Sequence, residues 1–201
     1  MFRNTILNIF ADIWPMILIF CVIIVLMRIV YLIKTKKKIV FYKEMLALGF
    51  LIYIMCLYHT VTFQDVGWST SNFIPFKEMF RYSFGTKMFY RNVVGNMFLF
   101  VPFGFFISYF LKLKKPLHIF ILTFLTSITI ELTQLGIGRV FDIDDIILNI
   151  VGSLLGFILF YIIDKIKDKL PNLFKNQLVY NVIMVLLIIV IIMYLRGLFY
   201  V

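Results

Sequence analysis

In this chain of 201 residues, the side chains able to do chemistry are concentrated in one stretch. Glu131 and Gln134 stand three apart, which on a helix places them on one face. The run LGIGRVFDIDDIILN follows and puts Arg139, Asp142, Asp144 and Asp145 within seven residues. Asp145, Asn149, Gly152 and Gly156 then recur at steps of four, three and four, so one helical stripe starts with a carboxylate, continues with an amide and ends in two glycines. Earlier, Asn92 and Asn96 lie four apart with Gly95 beside them, and His59 closes another apolar run. An arginine of this kind forks onto a carboxylate or phosphate, and Glu131 and Asp142 are its natural partners. A glutamate in a low-dielectric setting can act as acid or base. Paired aspartates can bind a divalent ion, yet Asp142 and Asp145 with one amide make a sparse site. The chain has no HExxH, no nucleophile elbow and no phosphate-cradling glycine loop. Cys21 and Cys56 lie in apolar runs with no metal or disulfide spacing. No metal and no cofactor is expected.

The elements that position these groups follow from composition. Hydrophobic residues make up 63% of the chain and charged ones 15%, with a mean hydropathy of +1.01. A soluble domain is nearer half apolar and a quarter charged, so a soluble enzyme and a disordered chain are both excluded. Apolar runs at 15–33, 44–63, 93–111, 117–135, 145–163 and 179–198 each approach the roughly 20 residues a spanning helix needs. They are continuous and do not alternate, which excludes a β-barrel. The fold class is an all-α membrane protein, a polytopic bundle of about six transmembrane helices in a single membrane domain over 1–201. Before the first run, Phe2, Ile6, Ile9, Phe10 and Ile13 share a face opposite Arg3, Asn4, Asn8 and Asp12, which predicts an interfacial helix over 1–14. Phe76, Met79, Phe80 and Phe84, behind Pro75, predict a second amphipathic helix in a loop. Pro102 predicts a kink in the third span. No cleavable signal peptide and no internal repeat is evident.

The net charge of +10 reads as topology and not as a nucleic-acid surface. Lys34, Lys36, Lys37, Lys38 and Lys43 follow the first run, Lys112, Lys114 and Lys115 the third, and Lys165, Lys167, Lys169 and Lys175 the fifth. All of these fall on one side. Arg3, Lys77, Arg81, Lys87, Arg91, Arg139 and Arg196 share the other with Asp65 and Glu78. Arg28 lies inside the first run near its cytoplasmic end, where it can snorkel. The positive-inside rule then puts both termini and the polar cluster at the cell exterior. Ionisable groups in a bilayer cost about 2.5–3.5 kcal/mol each on insertion scales, more than fastening a small bundle requires. A binding site is therefore expected from Asn92, Asn96, Glu131, Gln134, Arg139, Asp142, Asp145 and Asn149.

The segments RNVVGNMFLFVPFGFFISYF and SITIELTQLGIGRVFDIDDIILNIVGSLLGFILF, preceded by NFIPF at Asn72 to Phe76, resemble the VanZ-like membrane proteins of bacteria. The shared pattern is carried by Asn92 and Asn96, Pro102 to Gly104, Glu131 and Gln134, Arg139, Asp142 and Asp145, then Asn149, Gly152 and Gly156. The similarity covers a four-span core over 46–163 and leaves 179–198 as an additional C-terminal transmembrane helix. It implies a plasma-membrane protein of the cell envelope acting in resistance to glycopeptide antibiotics of the teicoplanin type. Its partners would be the lipid bilayer and a lipid-linked cell-wall precursor or the glycopeptide itself. Two other readings stay open. An intramembrane enzyme would use Glu131 on a lipid-linked substrate, with no catalytic residue assigned otherwise. A small transporter is the third.

Overall fold

A computed structural model describes residues 2–36, 38–62, 71–169, 171 and 176–199. Lys37, Asp65 and Lys175 of the charged loops lie outside the described residues. The fold is all-α, with α1 (Phe2–Thr35), α2 (Phe41–Thr62), α3 (Lys87–Leu111), α4 (Pro116–Gly136), α5 (Ile143–Ile166) and α6 (Gln177–Phe199). The first five are long and apolar enough to cross a membrane, α1 through its part Ala11–Thr35; in α6 the apolar stretch extends over Gln177–Met193 of the described residues. Helices form wherever the apolar runs predict them, because a backbone in hydrocarbon must satisfy its own hydrogen bonds.

One expected helix is continuous with the span that follows it, and another is absent. Helical structure runs unbroken from Phe2 through Pro15 to Thr35, so no break separates 1–14 from the first span. Membrane helices tolerate an internal proline that would break a soluble one. The segment around Phe76 to Phe84 is not an amphipathic helix: it is a turn followed by one 3-10 turn, Met79–Arg81, with Phe76 in the left-handed region at φ 67°.

The chain divides into two compact units, Met1–Cys56 with Ile166–Val201, and Leu57–Lys165. In the first unit Arg28 does not simply reach for the interface. Its Nε and Nη2 donate to the two carboxylate oxygens of Glu44 at 2.8 and 2.9 Å, a bidentate pair joining α1 to α2. The Tyr42 N–H donates to Asn181 Oδ1 at 3.1 Å, and the Tyr42 and Tyr180 rings lie 5.2 Å apart, which ties α6 to the start of α2.

In the second unit small polar side chains share the interior with Phe100 and Ile119, while many large apolar ones point outward. Ser108, Thr123, Ser127 and Ser153 are completely buried, while Phe98, Leu125 and Ile163 are exposed. Lipid tails give helices no hydrophobic reason to associate, so contact depends on close approach and interhelical hydrogen bonds. The glycines supply the approach. A Cβ on Gly152 would strike the Met97 carbonyl, one on Gly156 the Val101 carbonyl, and one on Gly104 the backbone of Ser153. Thr123 Oγ1 donates to Ser153 Oγ at 2.7 Å and Asn149 Nδ2 to Ser127 Oγ at 2.8 Å, fastening α4 to α5. At the start of α3 a π-turn, Tyr90–Val94, carries Asn92 ahead of Gly95 and Asn96.

Candidate functional site

The site lies where the segment 71–86, the first turns of α3 and the start of α5 meet. Asn72 anchors the segment. Its backbone N–H donates to the Phe141 carbonyl at 2.8 Å, its carbonyl accepts from Ile143 at 3.1 Å, and the two make a parallel bridge to Asp142. Its side-chain amide donates to Asp142 Oδ1 at 2.9 Å, and the same oxygen accepts the Asp144 N–H at 2.9 Å. Burial raises the Asp142 carboxyl above the ordinary aspartate value, and these two donors pull it the other way.

Asp144 does the most to hold the segment. It is only 1% exposed, and its carboxylate accepts three backbone N–H groups, from Phe76 at 2.5 Å, Glu78 at 2.7 Å and Met79 at 3.0 Å. The left-handed Phe76 turns the chain so that three nearby N–H groups, those of Phe76, Glu78 and Met79, point at one carboxylate, a nest-like arrangement of backbone donors, while the Lys77 N–H goes to the Ile74 carbonyl at 3.4 Å. This arrangement accounts for the missing amphipathic helix, since an N–H turned toward Asp144 cannot also serve a regular helical ladder. Asp144 is not among the residues the sequence singles out as a site. Its partners are backbone donors 65 to 68 positions away, and backbone donors leave no side-chain signature.

The eight expected site residues separate into two groups. Asn92, Asn96, Asp142 and Asp145 line a half-open recess of about 340 Å³, together with Glu78, Met79, Tyr82, Arg91, Asp144 and others. Within it Asn96 Nδ2 donates to Asp145 Oδ1 at 2.6 Å. The Asn92 side chain has no hydrogen-bond partner among the described residues. Glu78 is engaged by Arg81 at 3.1 Å, and among the described residues Arg91 is the one cation that lines the recess. Sequence reasoning put Arg91 and Glu78 on this side of the membrane but did not mark them as site residues.

Glu131, Gln134, Arg139 and Asn149 do not line the recess. Glu131 is 1% exposed and accepts the Asp142 N–H at 2.9 Å, which holds the turn into α5. Arg139 does not pair with Glu131 or Asp142. Its Nη1 donates to the Val61 carbonyl, which also accepts from Gln134 Nε2 at 2.6 Å. Val61 lies in the last turn of α2, where carbonyls lack intrahelical donors and the helix dipole favours a cation. The Arg139 N–H in turn donates to the Gln134 carbonyl at 2.9 Å. One arginine and one amide thus cap a neighbouring helix, an outlet that spacing along the chain does not reveal. Asn149 serves the α4–α5 seam through Ser127.

The acidic groups on the recess are largely committed to protein donors, and no group of three or more metal-ligating side chains gathers among the described residues. What the recess offers a ligand is a free amide at Asn92, a guanidinium at Arg91, and unfilled acceptor capacity on Asp145. Such a set hydrogen-bonds sugars, amides and amines. The model of the VanZ/LLP1 family matches residues 45–164, which contain the whole recess. Neither the curated proteins nor the solved structures contain a match to the chain.

Proposed function

The chain belongs to the VanZ/LLP1 family of multi-span membrane proteins, and from this premise we propose that it binds a lipid-linked cell-wall precursor in the recess at Asn92, Asn96, Asp142 and Asp145. Occupying the precursor lowers the access of teicoplanin-type glycopeptides to it. The distribution of lysines supports an exterior position for the recess in the plasma membrane, on the side where those drugs act. The observation that carries the reading is the recess itself. It is a polar hollow of about 340 Å³, whereas Thr123, Ser153, Asn149 and Ser127 are paired with one another in the α4–α5 seam. Asn92 faces it without a hydrogen-bond partner among the described residues, and its amide can donate twice and accept through the carbonyl oxygen. Arg139 belongs to the scaffold in this scheme, and Arg91 is the cation available to an anionic group. An enzyme built on Glu131 gains no support, since that carboxylate is enclosed and holds a backbone N–H.

The test expresses the chain in a teicoplanin-susceptible host beside Asn92→Ala and an empty vector. The intact chain lowers susceptibility, and Asn92→Ala, which removes no side-chain hydrogen bond among the described residues, returns it to the vector level. A host carrying the intact chain that is as susceptible as the vector control contradicts the proposed function. Full protection by Asn92→Ala contradicts the recess as its site.

A further inference from the structure

The segment that walls the recess also carries, among the described residues, the most exposed aromatic side chains of the second unit. Glu78, Met79 and Tyr82 line the hollow, while Phe80 is 84% exposed and Phe84 86%. Phe73, Ile74 and Phe76 are exposed as well, and the apolar track continues through Met88 and Tyr90 to Phe98 on α3, itself a candidate span. Lys77, Arg81, Lys87 and Arg91 are exposed between them. Aromatic rings interleaved with basic residues beside the start of a span match the headgroup layer, where rings enter the acyl boundary and cations meet phosphates. The segment is held in place independently of that layer. Asp144 takes three of its N–H groups, Asn72 bridges to Asp142, and the Phe73 and Phe141 rings stack 5.1 Å apart.

We propose that residues 72–91 form an interfacial strap seated in the headgroup layer of the bilayer that the helices cross, and that the recess behind it opens sideways into that layer. Its ligand is therefore the headgroup of a membrane-borne lipid, delivered along the leaflet, and not a molecule arriving from water. This rests on the recess being a binding site and adds the route by which it is filled. Arg91, at the junction of strap and α3, is placed to meet the lipid phosphate while Asn92 and Asn96 face the group beyond it.

The experiment uses the full chain in vesicles of phosphatidylcholine and phosphatidylglycerol. In a background with Cys21→Ala and Cys56→Ala, a fluorophore is attached at Phe80→Cys, Phe84→Cys or Asn92→Cys. Each is challenged with a headgroup-nitroxide lipid, an acyl-chain-nitroxide lipid and aqueous iodide. Lipid nitroxides should quench the Phe80 and Phe84 positions at least about threefold more strongly than iodide does. The headgroup nitroxide should also quench the Asn92 position. Iodide reaching all three sites with no lipid quenching overturns the proposal and leaves the strap as a surface for a soluble partner. Lipid quenching at Phe80 and Phe84 with only iodide reaching Asn92 overturns the sideways opening. Should a cysteine variant fail to insert, the unaltered chain is photolysed with diazirine-bearing lipid. Adducts on the peptide containing Phe80 and Phe84 support the strap, and adducts confined to the span helices refute it. None of these readouts involves drug sensitivity, so loss of the resistance phenotype with intact quenching removes the proposed function alone, and the reverse removes only this inference.

Discussion

Replacing Asp144 tests the anchoring of the recess wall most directly. Asp144→Ala removes a buried carboxylate that accepts from Phe76, Glu78 and Met79 at 2.5, 2.7 and 3.0 Å. Hydrogen bonds to a charged group contribute about 1.5–3 kcal/mol each, and donors left buried without a partner carry a further desolvation cost. The three bonds share one acceptor and do not add, and the freed strap can rehydrate its N–H groups, so a local loss of about 3–4 kcal/mol is expected. At about 1.4 kcal/mol per tenfold, the strap opens roughly 10²–10³ times more often. Strap and helix core need not open together, because segments open locally with their own free energies. Hydrogen–deuterium exchange on the full chain in nanodiscs reads this out. Amides of Phe76, Glu78 and Met79 should exchange at least about a hundredfold faster in the variant, while amides in the middle of α4 keep their protection. Asp144→Asn, which retains one acceptor oxygen without the charge, should fall between. Unchanged protection of those three amides in Asp144→Ala would refute the anchoring role, and equal acceleration throughout α4 would show that Asp144 supports the core as a whole.

Gly152→Ala drives a methyl into the Met97 carbonyl, a backbone atom that cannot rotate away, whereas Gly136→Ala meets nothing within 4 Å. Thermal unfolding in nanodiscs should show the first destabilised by about 1–3 kcal/mol or more and the second within about 0.5 kcal/mol of the parent; similar melting of both would disprove the close α3–α5 seam. Arg139→Met removes one of two donors on the Val61 carbonyl and should cost about 1–3 kcal/mol, seen as faster exchange in the last turn of α2. A variant with unaltered exchange there rules the cap out. Asp142 has its carboxyl pKa raised, chiefly by burial, so the folded form holds that proton more tightly than the unfolded chain. Its contribution to stability is full below the ordinary aspartate range near about 4 and fades as pH rises through the raised value. Melting curves across that window should therefore fall less steeply for Asp142→Asn than for the parent, and parallel slopes would show that Asp142 is not the group responsible.

Much of the helical seam was legible along the chain. Asn149, Gly152 and Gly156 recur at helical spacing, and the structure turns them to α4 and α3 through Ser127, Met97 and Val101. The four spans of the family core and the motif residues within it were readable for the same reason, since each depends on neighbours in sequence. Arg139 was not: spacing put it near two carboxylates, and only folding brings the end of α2 within its reach. Asp144 escaped because its partners are main-chain groups, which every residue but proline carries. The strap escaped because an amphipathic pattern is only a helical preference, and a buried anion that draws N–H groups out of the ladder overrides it.

Hydropathy and charge by themselves determined that this protein crosses the bilayer several times as helices, because hydrocarbon leaves the backbone no other partner than itself. They also determined which residues are costly enough to require a purpose. Tertiary structure alone decided how those residues divide, with Glu131, Gln134, Arg139 and Asn149 spent on the scaffold and Asn92, Asn96, Asp142 and Asp145 turned toward the recess. The physical reason is that a polar group in a membrane takes the nearest available partner in space, and which partner is nearest is settled only once the helices have packed.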